Sequence, residues 1–270
     1  MLILGISTST QQAGCAIGGH EGVLALVQSA RGKRHAETLA PAIDVVCRQA
    51  RVDLREIGCI AVDLGPGLFT GLRVGVSTAK ALAYALRVPM IGVSSLDLVA
   101  FPVRWTPRVV VAAIDARRGE LFTTRYRQVP GGIQRTSDYA VCSPEDLASD
   151  LLATRDEVLL VGDGGLRYSA VFDDVAQVEL ADQTQAYPSA ASLVQLAHPR
   201  ALREEFVPAS ELTPLYLRPP DATINWSTRD NVRTTTADTT HGESSPRASA
   251  ADTDPKPSSR VVPSNGDSIS

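Results

Sequence analysis

The chain has 270 residues, 44% of them apolar, and a formal net charge of −4. That length supports one large domain or two small ones with a real core. The acidic balance excludes a free-standing nucleic-acid binder that works through a broad basic footprint.

The first elements read clearly. "LILGIS" (2–7), "GCAIGG" and "GVLALVQ" are three strands joined by Gly-rich turns. "AETLAPAIDVVCRQA" is a helix with Leu39, Ile43, Val46 and Ala50 on one face, and Pro41 near its start. "IGCIAVDL" is a buried strand. It runs into the turn "GPGLFTGLRVG" (65–75), and an Ala-rich helix is expected from Leu72 to Leu86. "VPMIGV" is a further strand and "SSLDLVA" a capped helix.

A second series starts near Val109. "VVVAAIDA" and "GELFTTRYR" are strands, and Ile133–Val141 is expected to be a third. "SPEDLASDLLA" is a helix capped by Ser143, with Pro144 at its first position. "VLLVGDGG" is a strand running into a Gly loop, "SAASLVQLA" a short helix and "PLYL" a late strand. The series repeats the first one, which predicts two related α/β lobes of actin-like, sugar-kinase-like architecture. The expected boundaries are 1–104, 105–222 and a disordered tail, 223–270. Residues 224–270 carry 16 Ser or Thr and four Pro, with few large apolar side chains to offset chain entropy.

Four cysteines, Cys15, Cys47, Cys59 and Cys142, form no C-x-x-C and have apolar neighbours. They read as free thiols of a reducing compartment. "MLILGIST" is apolar but brief, without a basic leader, and no run is long enough to span a bilayer. A cytoplasmic protein with no membrane contact is expected.

The glycine turn is the main candidate for chemistry. No Lys follows the glycines, so it is not a P-loop, and the third glycine falls one place late for a dinucleotide fingerprint. Gly65, Gly67 and Gly71 still permit close backbone approach, and a helix N-terminus behind them could hold an anion. Thr70 could cap that helix and Arg73 add a charge. Phosphate contact and a purely structural corner both remain open on this reading. The four histidines show no H-x-x-x-H spacing, so no metal site is legible. His35 reads as a surface or interface residue, Lys80 as a snorkelling side chain. Asp115 is either a cleft-facing base or metal ligand, or a turn cap.

The segments "ILGISTST", "RHAETLAPAI", "GPGLFTGLRVGVSTAKALA", "DARRGELF" and "PLYLRPPDA" occur in that order. Over about residues 1–222 they resemble the TsaB (YeaZ) family, the dimerisation subunit of the bacterial machinery that makes threonylcarbamoyladenosine in tRNA. "GPGL" and "GVSTAKALA" also resemble the catalytic paralogue, TsaD. The paralogue carries a paired-His metal motif and an acidic residue ending its first strand. Here no such pair occurs and Ser7 stands at the strand end. Ser7 departs from many TsaB sequences too, as does Leu68, where a serine is usual.

The resemblance implies a non-catalytic subunit with no cofactor of its own. It would pair with a TsaD-like subunit, recruit a TsaE-like ATPase, meet tRNA and Mg-ATP only through the complex, and form a homodimer when alone. Helices of the first lobe are the implied pairing surface: His35, Leu39, Ile43 and Val46, with Arg73, Val76, Ala79, Lys80 and Ala83. Any phosphate at Gly65, Gly67, Thr70 and Gly71 would be shared with the partner. The competing reading is a nucleotide-binding enzyme of this fold, or a glycoprotease-like peptidase, acting alone.

Overall fold

The computed structural model describes residues 1–30 and 35–218. The expected tail, 223–270, lies outside them. β1 (Leu2–Ser7), β2 (Ala13–Gly19) and β3 (Gly22–Ser29) form an antiparallel meander. α1 (His35–Ala50) leads to β4 (Ile57–Asp63), parallel to β1. α2 (Phe69–Leu86) then leads to β5 (Met90–Val93), parallel to β4. α3 (Ser95–Ala100) is capped by the Ser94 hydroxyl, which accepts from the Leu96 N–H.

The second series runs β6 (Val109–Arg117), β7 (Glu120–Val129), β8 (Gly132–Arg135), β9 (Ala140–Cys142), α4 (Pro144–Leu152), β10 (Val158–Val161), α5 (Asp163–Arg167), α6 (Ser169–Phe172), β11 (Val178–Leu180) and α7 (Ala190–Leu202). The first sheet has the order β3-β2-β1-β4-β5, and the second β8-β7-β6-β10-β11. In each, the first pairs of the meander are antiparallel and the two helix-connected pairs are parallel. The second sheet therefore repeats the first, strand for strand, with β9 added alongside β7.

Strand periodicity of two decides which helix each side chain meets. In β1 and β4, Leu4, Ile6, Ile60 and Val62 face α1 and α2, while Ile3, Cys59 and Ala61 face α7. In β6, Val109, Val111 and Ala113 face α4 and α6, while Val110, Ala112 and Ile114 face α3. Helices cross over: α3, from the first series, covers the second sheet, and α7, from the chain's second half, covers the first. A boundary at 104/105 thus separates the sheets but not their covering helices. The described residues belong to one compact unit.

Several expected elements differ. The strand expected over Ile133–Val141 is two short ones, β8 and β9. Between them Ser137 turns inward: its Oγ accepts from the Arg125 N–H and its carbonyl from the Thr124 hydroxyl. "PLYL" is not a strand; Leu215 N–H makes a single bond to Leu64 O. The helix expected from "SAASLVQLA" continues to Leu202 through Pro199. α2 begins at Phe69, three residues early, with Leu68 at its N-cap and no side-chain cap. Thr70 lies inside the first turn and does not cap it.

Candidate functional site

Two features meet at the carboxyl ends of β1 and β4, and a third lies along α1 and α2. The first is Asp63, the last residue of β4, 2% exposed. One carboxylate oxygen accepts from the hydroxyls of Ser7 (2.8 Å) and Ser9 (2.6 Å). The other accepts from the Ser95 hydroxyl (2.5 Å) and the Gly65 N–H (2.9 Å). Burial pushes this carboxyl above its ordinary range, and the four donors pull it back. The carboxylate absent from the end of β1, where Ser7 stands, is thus present one strand over. There it ties the β1 end, the glycine turn and the start of α3 together.

The second feature is the glycine turn itself. A Cβ on Gly67 would collide with the Ser9 carbonyl, one on Gly71 with the Thr8 carbonyl, and one on Gly75 with the Thr8 hydroxyl. Gly71 and Gly75 stand one helical turn apart, so they form a notch in α2 that seats Thr8. The Thr8 hydroxyl donates to Gly71 O (2.7 Å) and the Leu68 N–H donates to Ser9 O (2.6 Å). At Gly65, φ is +93°, and its bare side faces Leu72. The bare faces of these glycines meet this chain's own backbone and side chains. That close packing is the structural corner of the two readings, and it is why glycine stands at Gly67, Gly71 and Gly75.

The third feature is the outer surface of α1 and α2. Leu39, Ile43, Val46, Val76, Ala79 and Ala83 are all buried in one core cluster beneath the two helices. The stripe expected to pair with a partner is the one that each helix turns to its own sheet. A charge at Ile43 or Ala79 therefore tests folding, not pairing. His35 Nε2 donates to Thr10 O at 2.9 Å, fastening α1 to the β1–β2 turn. Lys80 is half-buried, and Arg73 is exposed, its guanidinium 3.9 Å above the Phe69 ring. The other face of α2 carries Thr70, Arg73, Ser77, Ala81 and Tyr84 at helical spacing. Tyr84 is 87% exposed. Tyr216 packs on Phe69 with ring centres 5.3 Å apart. This outer stripe is thus small in its middle and aromatic at both ends. Beside it, Ile43, Asp44, Cys47, Arg51, Thr78 and Leu82 line a groove of about 640 Å³ between the helices. Tyr84 was absent from the expected set. Its signal was an aromatic residue among alanines one turn after Lys80.

A separate cavity of about 360 Å³ lies at the carboxyl ends of β6 and β10, lined by Gln11, Asp115, Asp163, Arg167 and Tyr187 among others. Asp115 is almost fully buried, accepts from the Arg117 N–H, and pairs with the Arg117 and Arg167 guanidiniums at 3.1 and 3.4 Å. Asp115 thus caps the turn and also lines the cavity. Among the described residues no three His, Cys, Asp or Glu side chains gather as a metal set. Asp163 Oδ1 accepts from the Asp115 N–H (3.1 Å).

Burial, with a smaller push from Asp115, raises the Asp163 carboxyl from 3.8 to about 6. A folded-state value above the unfolded one means the native state binds the extra proton between those two pH values. Stability contributed by this group therefore rises as pH falls from about 6 toward 3.8. Asp163→Asn removes the charge and keeps the acceptor oxygen. The variant is expected to be about 1–3 kcal/mol more stable than the parent at pH 7.5, the gain shrinking toward zero near pH 4. Urea unfolding at the two pH values measures it, and an equal difference at both would refute the assignment.

Two sheets of identical strand order, each built from an antiparallel meander and two parallel additions, define the actin-like two-lobed class of α/β proteins. A family model described as TsaD, tRNA N6-adenosine threonylcarbamoyltransferase, matches residues 27–226. The Haemophilus influenzae tRNA threonylcarbamoyladenosine biosynthesis protein TsaB is 30% identical over 233 residues, covering 81% of this chain and 94% of that protein. The Escherichia coli TsaB is 29% identical, covering 81% and 95%. A solved structure of YeaZ from Pseudomonas aeruginosa aligns with a TM-score of 0.70 and 28% identity, over 80% of this chain and 99% of that one. The chain belongs to the TsaB (YeaZ) family.

Proposed function

We propose that this chain is the non-catalytic assembly subunit of a tRNA threonylcarbamoyladenosine-forming complex. In this reading it pairs with a TsaD-like threonylcarbamoyltransferase subunit and, through that pair, recruits a TsaE-like ATPase in the cytoplasm. Mg-ATP and tRNA are handled by the complex, and the isolated chain forms a homodimer on the same helices. The observation that carries the reading is the outer stripe of α2. Small residues, Ser77 and Ala81, let a partner helix approach closely, while Tyr84 at one end and Phe69 with Arg73 at the other offer large anchors. Exposed aromatic and arginine anchors around a closely packed centre are what dominates the energetics of protein interfaces.

Tyr84→Asp is expected to weaken pairing with the catalytic subunit by about 30-fold or more, in the range of interface anchor residues. Its thermal midpoint should match the parent, because the side chain is solvent-exposed. Co-purification and calorimetry of the pair decide it, and undiminished pairing would remove α2 from the interface. The competing reading, an enzyme acting alone, would use the cavity at Asp115 and Asp163. The same calorimeter separates the two: micromolar binding of Mg-ATP by the isolated chain would favour the enzyme.

A further inference from the structure

Two arginine–aromatic clusters follow α3 in the chain, and one of them, Arg135 with Tyr139, lines a cavity. The Phe101 N–H donates to the Asp97 carbonyl, so the helical backbone makes one turn between them. Asp97 and Phe101 therefore share a face, about 6 Å apart along the axis. Asp97 lines a cavity of about 480 Å³ together with Tyr126, Arg135, Tyr139, Leu196 and Arg200. Its carboxylate accepts from the Tyr126 hydroxyl (2.6 Å). Arg135 stacks on Tyr139 with its guanidinium carbon 4.1 Å from the ring centre. One turn further on, the Arg104 guanidinium lies 4.0 Å from the Phe101 ring centre and 4.8 Å from that of Trp105. Its Nη1 also donates to the Phe101 carbonyl (2.9 Å), which holds the cluster in place. Trp105 remains 60% exposed.

A single exposed tryptophan is ordinary. The combination here is specific: two guanidinium groups over aromatic rings, an open indole, and a cavity with a carboxylate acceptor. Neither Arg104 nor Arg135 lies within ion-pair distance of a carboxylate among the described residues. Arg104 spends one N–H on the Phe101 carbonyl and Arg135 one on the Tyr139 hydroxyl, and their remaining donors suit an outside phosphate. Unpaired bases are bound by stacking on aromatic rings and guanidinium planes, with their edges read by hydrogen bonds.

We propose that this surface binds an unpaired stretch of RNA. One base stacks on Trp105 and a neighbouring base enters the Asp97–Tyr139 cavity, where the carboxylate accepts from an exocyclic amino group. Arg104 and Arg135 face the phosphates between them. The proposal rests on the reading that the chain works in tRNA modification, and adds a direct contact between this subunit and the nucleic acid. The net charge of −4 keeps phosphate attraction small, so stacking dominates and the affinity falls only shallowly with salt.

The chain has two tryptophans, Trp105 and Trp226. In a Trp226→Phe protein, the fluorescence of Trp105 reports on this surface alone. Titration with an unmodified tRNA transcript, and with a single-stranded oligoribonucleotide, is expected to quench it saturably. A fully paired RNA duplex should leave it unchanged. In the parent chain, Trp105→Leu and Arg135→Gln should each weaken binding of the labelled oligoribonucleotide at least tenfold, the range for one lost stacking contact. Both should leave the thermal midpoint unchanged. Absence of quenching, equal quenching by duplex, or unaltered binding by both variants overturns the proposal. So does shielding of Trp105 from acrylamide by the catalytic subunit without RNA, which would make this a protein interface. The outcome is separable from the pairing test, because Tyr84 lies on α2 and these residues lie on and after α3.

Discussion

Replacing Asp63 with alanine is expected to remove about 3–5 kcal/mol of folding free energy, a large part of the stability of an ordinary domain. The carboxylate accepts four hydrogen bonds, from Ser7, Ser9, Ser95 and the Gly65 N–H. Ser7, Ser9 and Ser95 are all buried, so water cannot replace the acceptor without opening the fold. Each donor left unsatisfied costs about 1–3 kcal/mol. Removing the carboxylate also removes the penalty of burying it, which offsets part of that sum. Ser7→Ala, by contrast, deletes one donor while the other three remain, and should cost about 1 kcal/mol. Urea unfolding of the three proteins measures the difference. If Asp63→Ala and Ser7→Ala lose equal stability, the carboxylate is not the hub described here. Because the hub links β1, the glycine turn and α3, the alanine variant should also lose protection from hydrogen exchange in all three together.

Gly71→Ala is the second large effect. Alanine is the better helix former by about 1 kcal/mol, so propensity alone predicts a gain. The added methyl group, however, points at the Thr8 carbonyl, a backbone atom with no rotamer to escape into. α2 must then move off the end of β1, and the Thr8–Gly71 and Leu68–Ser9 bonds lengthen with it. A net loss of about 2 kcal/mol or more is expected, as for other overpacked sites. Gly132→Ala is the control, because a methyl group there meets nothing within 4 Å. It should change stability by less than about 0.5 kcal/mol. A thermal midpoint for Gly71→Ala equal to that of the parent would refute the notch. A shift of α2 would also displace Arg73, Ser77 and Tyr84, so under the proposed function the variant should also weaken pairing with a TsaD-like subunit.

Most elements were legible because their patterns are local. β1, β4 and β6 are apolar runs of strand length, and α1 and α4 have apolar residues at helical spacing. Elements that failed depended on distant partners. "PLYL" has strand-like composition but makes one backbone bond, from the Leu215 N–H to Leu64 O, and otherwise packs through side chains such as Tyr216 on Phe69. The split between β8 and β9 follows from Ser137 satisfying the backbone of β7, which no window around Ser137 reveals. The start of α2 was placed late because glycine and threonine are weak helix formers, whereas the Thr8–Ser9 turn packs against that first turn and holds it.

The repeated order of strands and helices, the family resemblance and the absence of paired histidines were all determined by the sequence by itself, since each depends on residue type and spacing along the chain. The three-dimensional packing decided the rest. It assigned the stripe of Leu39, Ile43, Val46, Val76, Ala79 and Ala83 to the protein's own core, leaving Tyr84 outside. It packed the glycine turn against the chain's own backbone and side chains, and it gave Asp63 four donors drawn from three separate segments. The physical reason is that an amphipathic pattern states only that a helix has an apolar face. Which face meets the sheet, and what presses against a glycine, depend on contacts between residues more than fifty positions apart.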